Sequence, residues 1–438
     1  MKPFVVTTCV WGDLHIEALT KSMLPTLLAD GNLPALARLF DVTYRISTTH
    51  RDAARLNHHP LIEKARGIVD IEFVVATDDE VPDPIHHVNW YHRAISDARD
   101  QGAQIAFLPP DVTWSNSTLG NMGRHMAEGR LGTAMPYIRV ITETLLPALD
   151  AIPSGKDGIL DIAPGDLVRL AMRHMHPLSA AAIAGSRHGR PSLEKLWPVP
   201  GEGLLLRHMV RELFSFDPSR LEITHLWYAG QGTQAKDIHL VTDSDEMLFL
   251  SLAPLRKDIP LYIQDHDIDS IDMALSSLHP LNDTPLNSHF AAHSVRLHYG
   301  AMSSHKWRKA EVLAGATGKK AIVAREAIQV WNALKADGRC EIACKLLSAA
   351  LHASPMARRW PFEGALEIVV PTDMAFGGRL PIDLLAEGAR DRLFDYILAH
   401  VRPMSSDSGK KPGPAAAGRI EVGRHVVTLT DQNLASVN

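Results

Sequence analysis

Cysteine is almost missing from this chain: Cys9, Cys340 and Cys344 are the three among 438 residues. An odd, sparse set excludes a secreted disulfide framework. Two thiols four residues apart fall short of the four ligands of a structural zinc site, so all three read as core thiols. Long apolar runs are missing too. None approaches the roughly 18 residues that a membrane span needs, and the opening apolar stretch, residues 4–10, is too short for a signal peptide's apolar region and cleavage site. The expected location is therefore the cytoplasm, with the inner face of the inner membrane as a further place of action. There is no basic excess, with 45 Lys and Arg against 50 Asp and Glu and a formal charge of −5, which argues against a nucleic-acid partner. Walker A, G-x-G-x-x-G and G-x-S-x-G motifs are absent, which argues against P-loop ATPases, dinucleotide dehydrogenases and α/β-hydrolases.

What remains has an ordinary globular balance, 45% hydrophobic and 22% charged. Its length suits a large catalytic domain with an appendage. Strands are predicted at residues 4–10, 42–47, 71–77, 104–108 and 133–140, from short apolar runs rich in β-branched residues and bounded by turn signals. Helical periodicity fills residues 15–28, 88–102 and 119–128, closed by Gly31, Gly102 and Gly129. Alternating strands and helices predict parallel β-α-β units in one doubly wound sheet, with the first four strands buried. Ligands of such sheets sit beyond the carboxyl ends of the strands. After residue 160 the pattern loosens: a helix at 164–174, short strands and turns at 191–220, then strong helical character over 309–353. Residues 404–418, MSSDSGKKPGPAAAG, read as a flexible linker, and 419–430 as a final strand that docks back.

The strand ends supply the candidate groups. The segment 107–116 delivers Asp111 after an apolar strand. That carboxylate either holds one side of a divalent metal, Mg or Mn, on a substrate diphosphate or caps the following turn. Ser115 follows it. Thr7, Thr8 and Trp11 end the first strand, and Thr49 and Arg51 follow the second, all placed to meet a base or ribose. Arg93 stands on the helix before the fourth strand, where it can reach a phosphate; its neighbours Trp90 and Tyr91 read as core aromatics. Asp243-Ser-Asp245-Glu246 follows an apolar run and is either a solvated loop or a pair of carboxylates, Asp243 and Asp245, serving as general base for an acceptor hydroxyl. His174-Met-His176 has spacing that does not bring two imidazoles to one helix face and reads as a helix end.

Three segments carry a resemblance: VWGDLHIEALTKSMLPTLLADGNLPAL (10–36), FLPPDVTWSNSTL (107–119) and HLVTDSDEMLFLSL (239–252). They resemble stretches of little-characterised bacterial proteins labelled glycosyltransferases, and the element order is similar to the nucleotide-binding half of the GT-A type. The resemblance spans about residues 1–300. It implies an α/β fold with a GT-A-like, Rossmann-type, mainly parallel sheet flanked by helices, its residues 1–150 binding a nucleotide-sugar and 151–300 meeting an unidentified acceptor. A helical region at 301–403, the linker at 404–418 and a tail at 419–438 would follow. It implies sugar transfer from that donor, as in polysaccharide biosynthesis. The GT-A pattern places Asp-x-Asp at the end of the fourth strand. Here Pro109-Pro110-Asp111 matches only the last aspartate, which leaves metal dependence and stereochemistry open. The alternative is a non-catalytic nucleotide-binding α/β scaffold.

Overall fold

The apolar stretch that opens the chain lies at the heart of a seven-stranded sheet. The computed structural model describes residues 1–76, 86–153, 157–187, 194–208, 212–223, 233–257, 286–339, 366–371, 401–403, 416–422 and 425–430, with the single positions 155, 189 and 263. By contact density it divides into two units, Met1–Gly318 and Lys319–Asn438.

The strands of the first unit are β1 (Pro3–Cys9), β2 (Asp41–Thr48), β3 (Asp70–Val75), β4 (Gln104–Phe107), β5 (Val112–Trp114), β6 (Gly132–Ala134), β7 (Tyr137–Ile141), β8 (Glu194–Val199), β9 (Gly203–His208), β10 (Ser215–Phe216), β11 (Ile238–Leu240), β12 (Phe249–Ala253) and β13 (Ser294–His298). The large sheet has the order β3-β2-β1-β4-β10-β6-β11. Every strand runs parallel to β1 except β10, which is antiparallel to both its neighbours. Two three-stranded sheets, β5-β12-β7 and β13-β9-β8, accompany it.

Alternation along β1 explains its two faces. Phe4 and Val6 enter one core cluster with Leu19, Met23, Leu27 and Tyr44. Val5 and Cys9 enter another, beneath the helix His86–Asp100, where Trp90 and Tyr91 lie buried as the sequence led us to expect. Burial pushes the Cys9 thiol up to about 12, against hydrogen bonds with Tyr91 and Ser47, so it is an inert core thiol. Cys340 and Cys344 lie outside the described residues.

Several expectations need correction. The expected strand 133–140 is two strands, β6 in the large sheet and β7 in a small one. Met135-Pro136 separates them, and proline has no N–H to continue a ladder. The sheet is not purely parallel, because the two-residue β10 intervenes between β4 and β6. The third strand is half-exposed rather than buried: β3 has one neighbour, β2, and forms the sheet's edge. Its expected end at Thr77 lies outside the described residues. The helices His50–Asn57, Pro60–Arg66 and Thr142–Asp150 were not foreseen. Thr49 caps the first and His59 the second, each accepting a backbone N–H.

The C-terminal region is not simply helical. The helix Ser304–Asp337 is followed by β14 (Leu366–Pro371), β15 (Val401–Pro403), β16 (Ala416–Val422) and β17 (His425–Thr430), a four-stranded sheet of order β15-β14-β17-β16. The expected final strand is thus two, β16 and β17, antiparallel to each other, with β17 parallel to β14. Ala416–Gly418, expected in the linker, belongs to β16. Residues 404–415 lie outside the described residues.

Candidate functional site

The order β3-β2-β1-β4 creates the place to look. The chain winds outward from β1 to β3, then crosses back to β4. The crevice beyond the carboxyl ends of β1 and β4 is thus a topological switch point.

From the β1 side come Trp11, Gly12 and the helix Asp13–Ala18. Gly12 adopts φ 79°, the left-handed region that glycine tolerates, and its N–H donates to Asp52 Oδ2 at 2.9 Å. Asp52 is buried, accepts from the Thr49 hydroxyl and pairs with Arg55, which also reaches Asp13 at 2.7 Å. The turns after β1 and β2 are thereby bolted together. Thr49 is consumed in this bolt. Arg51 is exposed and lies 3.9 Å from Asp13.

From the β4 side comes Asp111, half-buried, with its backbone carbonyl accepting from Leu252 N at 2.7 Å. Burial pushes its carboxyl up; His15, on the helix after β1, and Arg139, on β7, pull the other way. His15 is exposed and Arg139 partly exposed, and among the described residues neither makes a hydrogen bond or ion pair with the Asp111 carboxylate, which belongs to no group of three metal-ligating side chains. Beside it opens a cavity of about 180 Å³, lined in part by Phe107, Pro109, Tyr137, Arg139, Glu212 and Phe249. Among the described residues the Arg139 guanidinium donates no hydrogen bond.

The other strand-end residues are placed differently. Thr8 is fully buried with its hydroxyl 3.0 Å from Tyr44 Oη, and Thr7 is fully buried on the opposite face. Neither hydroxyl is presented to a ligand. Trp11 is partly exposed and stands edge-on to Trp90, ring centroids 5.3 Å apart. Arg93 points to solvent from the helix His86–Asp100. Ser115 is fully buried, its hydroxyl shared with Thr118 at 2.8 Å and donated to Leu248 O at 3.1 Å. It is a structural latch, and the donor-binding role expected of it does not fit.

Asp243 and Asp245 lie apart from Asp111. Among the described residues no hydrogen bond or ion pair joins them to it. They face His298 at the end of β13, whose Nε2 is 3.0 Å from Asp243 Oδ1 and 3.5 Å from Asp245 Oδ2. The turn is fixed from both sides, since Asp245 N donates to Asp243 Oδ1 and His298 N to Ser244 Oγ. One ligand atom from each of the three residues lies within 4.8 Å of the others, a set that could hold a metal. Two carboxylates and an imidazole suit Mn or a similar divalent ion better than Mg, which prefers all-oxygen ligands.

Gly203 sets this geometry. It pairs with His298 and has φ 148°, and a Cβ there would collide with the Leu297 carbonyl. Gly203→Ala is expected to lower stability by about 1–3 kcal/mol through backbone strain. It should also weaken Mn binding at Asp243, Asp245 and His298. Denaturant melts and Mn titration check both.

The chain is thus an α/β protein with a mostly parallel seven-stranded sheet flanked by helices. No protein-family model and no curated protein matches it. No helix among the described residues is long and apolar enough to cross a membrane. Sequence reading found Asp111, Asp243 and Asp245 but missed His15, Arg139 and His298. His15 falls one turn after a strand end and was a findable signal; Arg139 and His298 sit inside strands whose place only the tertiary fold reveals.

Proposed function

We propose that this chain is a GT-A-type glycosyltransferase that takes a nucleotide-sugar in the crevice between β1 and β4. The observation that carries the reading is the cavity of about 180 Å³ past the end of β4, lined in part by Phe107, Pro109, Tyr137 and Arg139, with Asp111 next to its lining residue Val112 in the chain. A nucleotide diphosphate is an anion with a flat base and many hydroxyls. Arg139 offers a forked cation for phosphate oxygens, His15 an exposed imidazole that can donate a hydrogen bond, and Trp11 a partly exposed aromatic edge. Asp111 accepts from donor hydroxyls.

In the reaction the bond from the anomeric carbon to the diphosphate oxygen breaks, an acceptor hydroxyl oxygen bonds to that carbon, and its proton passes to the leaving diphosphate or to water. Negative charge grows on the leaving diphosphate, and the Arg139 guanidinium on the cavity wall stabilises it. Asp243, Asp245 and His298 are read as a cation-holding set rather than as the general base. A divalent cation held there by Asp243, Asp245 and His298 would supply positive charge at a place apart from the donor diphosphate.

Incubating the purified chain with UDP-, GDP- and CMP-sugars, with and without Mn, and following release of the free nucleotide tests the proposal. Slow release to water or to added glycans is expected for one donor class. Donor binding with no release under any condition favours the nucleotide-binding scaffold, and neither binding nor release contradicts both.

A further inference from the structure

A second cluster of metal-ligating side chains shares the turn 243–246 with Asp243 and Asp245 but uses none of their ligand atoms. His125 comes from the helix Thr118–Ala127, His239 from β11 and Glu246 from the loop that leads to β12. We propose that His125, His239 and Glu246 form a site for a divalent transition-metal ion of the zinc class, which clamps the loop 241–247 to the edge of the large sheet. The inference does not depend on the chain being a glycosyltransferase.

Geometry carries it. Both imidazoles aim Nε2 at one oxygen, Glu246 Oε1, at 2.6 Å for His125 and 2.7 Å for His239. The rings lie nearly parallel, 13° apart, with centroids 3.4 Å from each other. Aromatic rings left to themselves prefer offset or edge-on arrangements, so a face-to-face pair needs a common partner to hold it. Three ligand atoms from three separate elements meet within 4.8 Å. Tetrahedral zinc spaces its ligand atoms about 3.3 Å apart, from bonds of about 2.0–2.1 Å, so a small outward swing of the Glu246 carboxylate admits the ion.

The surroundings fit as well. The Glu128 carboxylate lies 3.8 Å from His125 Nδ1, on the side of the ring away from the site, where a zinc-bound histidine usually finds a carboxylate. Asn121 donates its side-chain N–H to the Glu246 carbonyl, so the loop is already held to the same helix. The three side chains are 19–29% exposed, which leaves an ion a path in and a fourth position for water. Two imidazoles and one carboxylate favour zinc over Mg or Ca, which seek oxygen ligands.

The test uses the full chain stripped of metal. Bound Zn is measured by equilibrium dialysis with elemental analysis for the wild type, His125→Gln, His239→Gln, Glu246→Gln and the double variant Asp243→Asn/His298→Gln. The expected result is one tightly held Zn that survives in the double variant, is not displaced by excess Mg, and is weakened roughly tenfold or more in each variant of the cluster. Zn should also raise the wild-type melting temperature and slow amide exchange across residues 241–247. Equal Zn affinity in the three single variants, or Zn loss confined to the double variant, overturns the proposal. Should a single variant misfold, Co substitution in the wild type decides: intense visible absorption of a tetrahedral site supports the clamp, and weak octahedral bands contradict it.

Discussion

Asp111→Asn is expected to fold normally and melt at or above the wild-type temperature, yet to lose roughly 100- to 1,000-fold in turnover, the usual effect of removing a preorganised electrostatic group. The two halves of that result have separate causes. Burial pushes the Asp111 carboxyl up, against His15 and Arg139, so the folded chain binds that proton more tightly than the unfolded chain does. Stability from such a group is fully present below the unfolded value of about 3.9 and is lost as pH rises through the folded value. At neutral pH the ionised carboxylate therefore costs stability, and an amide in its place removes the cost. The melting-temperature difference between variant and wild type should shrink as pH falls below about 4, the unfolded range. Function moves the other way, because a neutral amide at this position is a weaker acceptor for the donor's hydroxyls than an ionised carboxylate. A variant less stable than wild type with unchanged turnover would identify Asp111 as a turn cap instead.

Trp114→Ala should cost about 3–5 kcal/mol, the range for emptying a large aromatic site in a core. Trp114 is fully buried and, among the described residues, the largest such side chain. Its ring packs against Phe214 and Phe249, each with centroids 5.2 Å away, and its strand β5 lies between the long N-terminal helical stretch and β12. The indole N–H finds no acceptor among the described residues. Trp114→Phe thus loses volume but also removes an unsatisfied donor, worth about 1–3 kcal/mol, so its loss should be far smaller than that of alanine. Denaturant unfolding of both variants measures the difference. Similar losses for Phe and Ala would show that the N–H has a partner.

The environment of Trp114 also explains which parts of the fold were legible in sequence. The three segments on which the expected glycosyltransferase resemblance rested meet around β5. Ser22 Oγ reaches Thr113 Oγ1 at 2.6 Å, Thr26 Oγ1 accepts from Trp114 N, and Asn32 donates to Ser115 O while accepting from Leu119 N. Asn116 Oδ1 accepts from Gly31 N, and β12 completes the knot by pairing with β5. The pattern in the sequence was thus in large part structural, and the hydroxyls at Thr8, Thr49 and Ser115 belong to the scaffold. β1, β2, β4 and the helix Thr118–Ala127 could be read because each combines an apolar pattern with a clear stop. β10 could not, since two residues carry no periodicity. The helix His50–Asn57 hid behind polar capping residues that resemble a loop. The strand Leu366–Pro371 was readable in its β-branched run, but the Ala- and Leu-rich stretch before it dominated the reading. Asp243 and Asp245 showed themselves by spacing, whereas His298, 55 residues from Asp243, could be joined to them only by the fold.

The central claim is that the crevice between β1 and β4 binds a nucleotide diphosphate through Arg139. Calorimetric titration of UDP, GDP and CMP into the wild type and Arg139→Gln tests it most directly. The account predicts saturable binding of at least one of these by the wild type, and a loss of about 1.5–3 kcal/mol, roughly 10- to 150-fold, in the variant, as for a hydrogen bond to a charged group. Undiminished nucleotide affinity in a folded Arg139→Gln protein, or no binding of any nucleotide to the wild type, would contradict it.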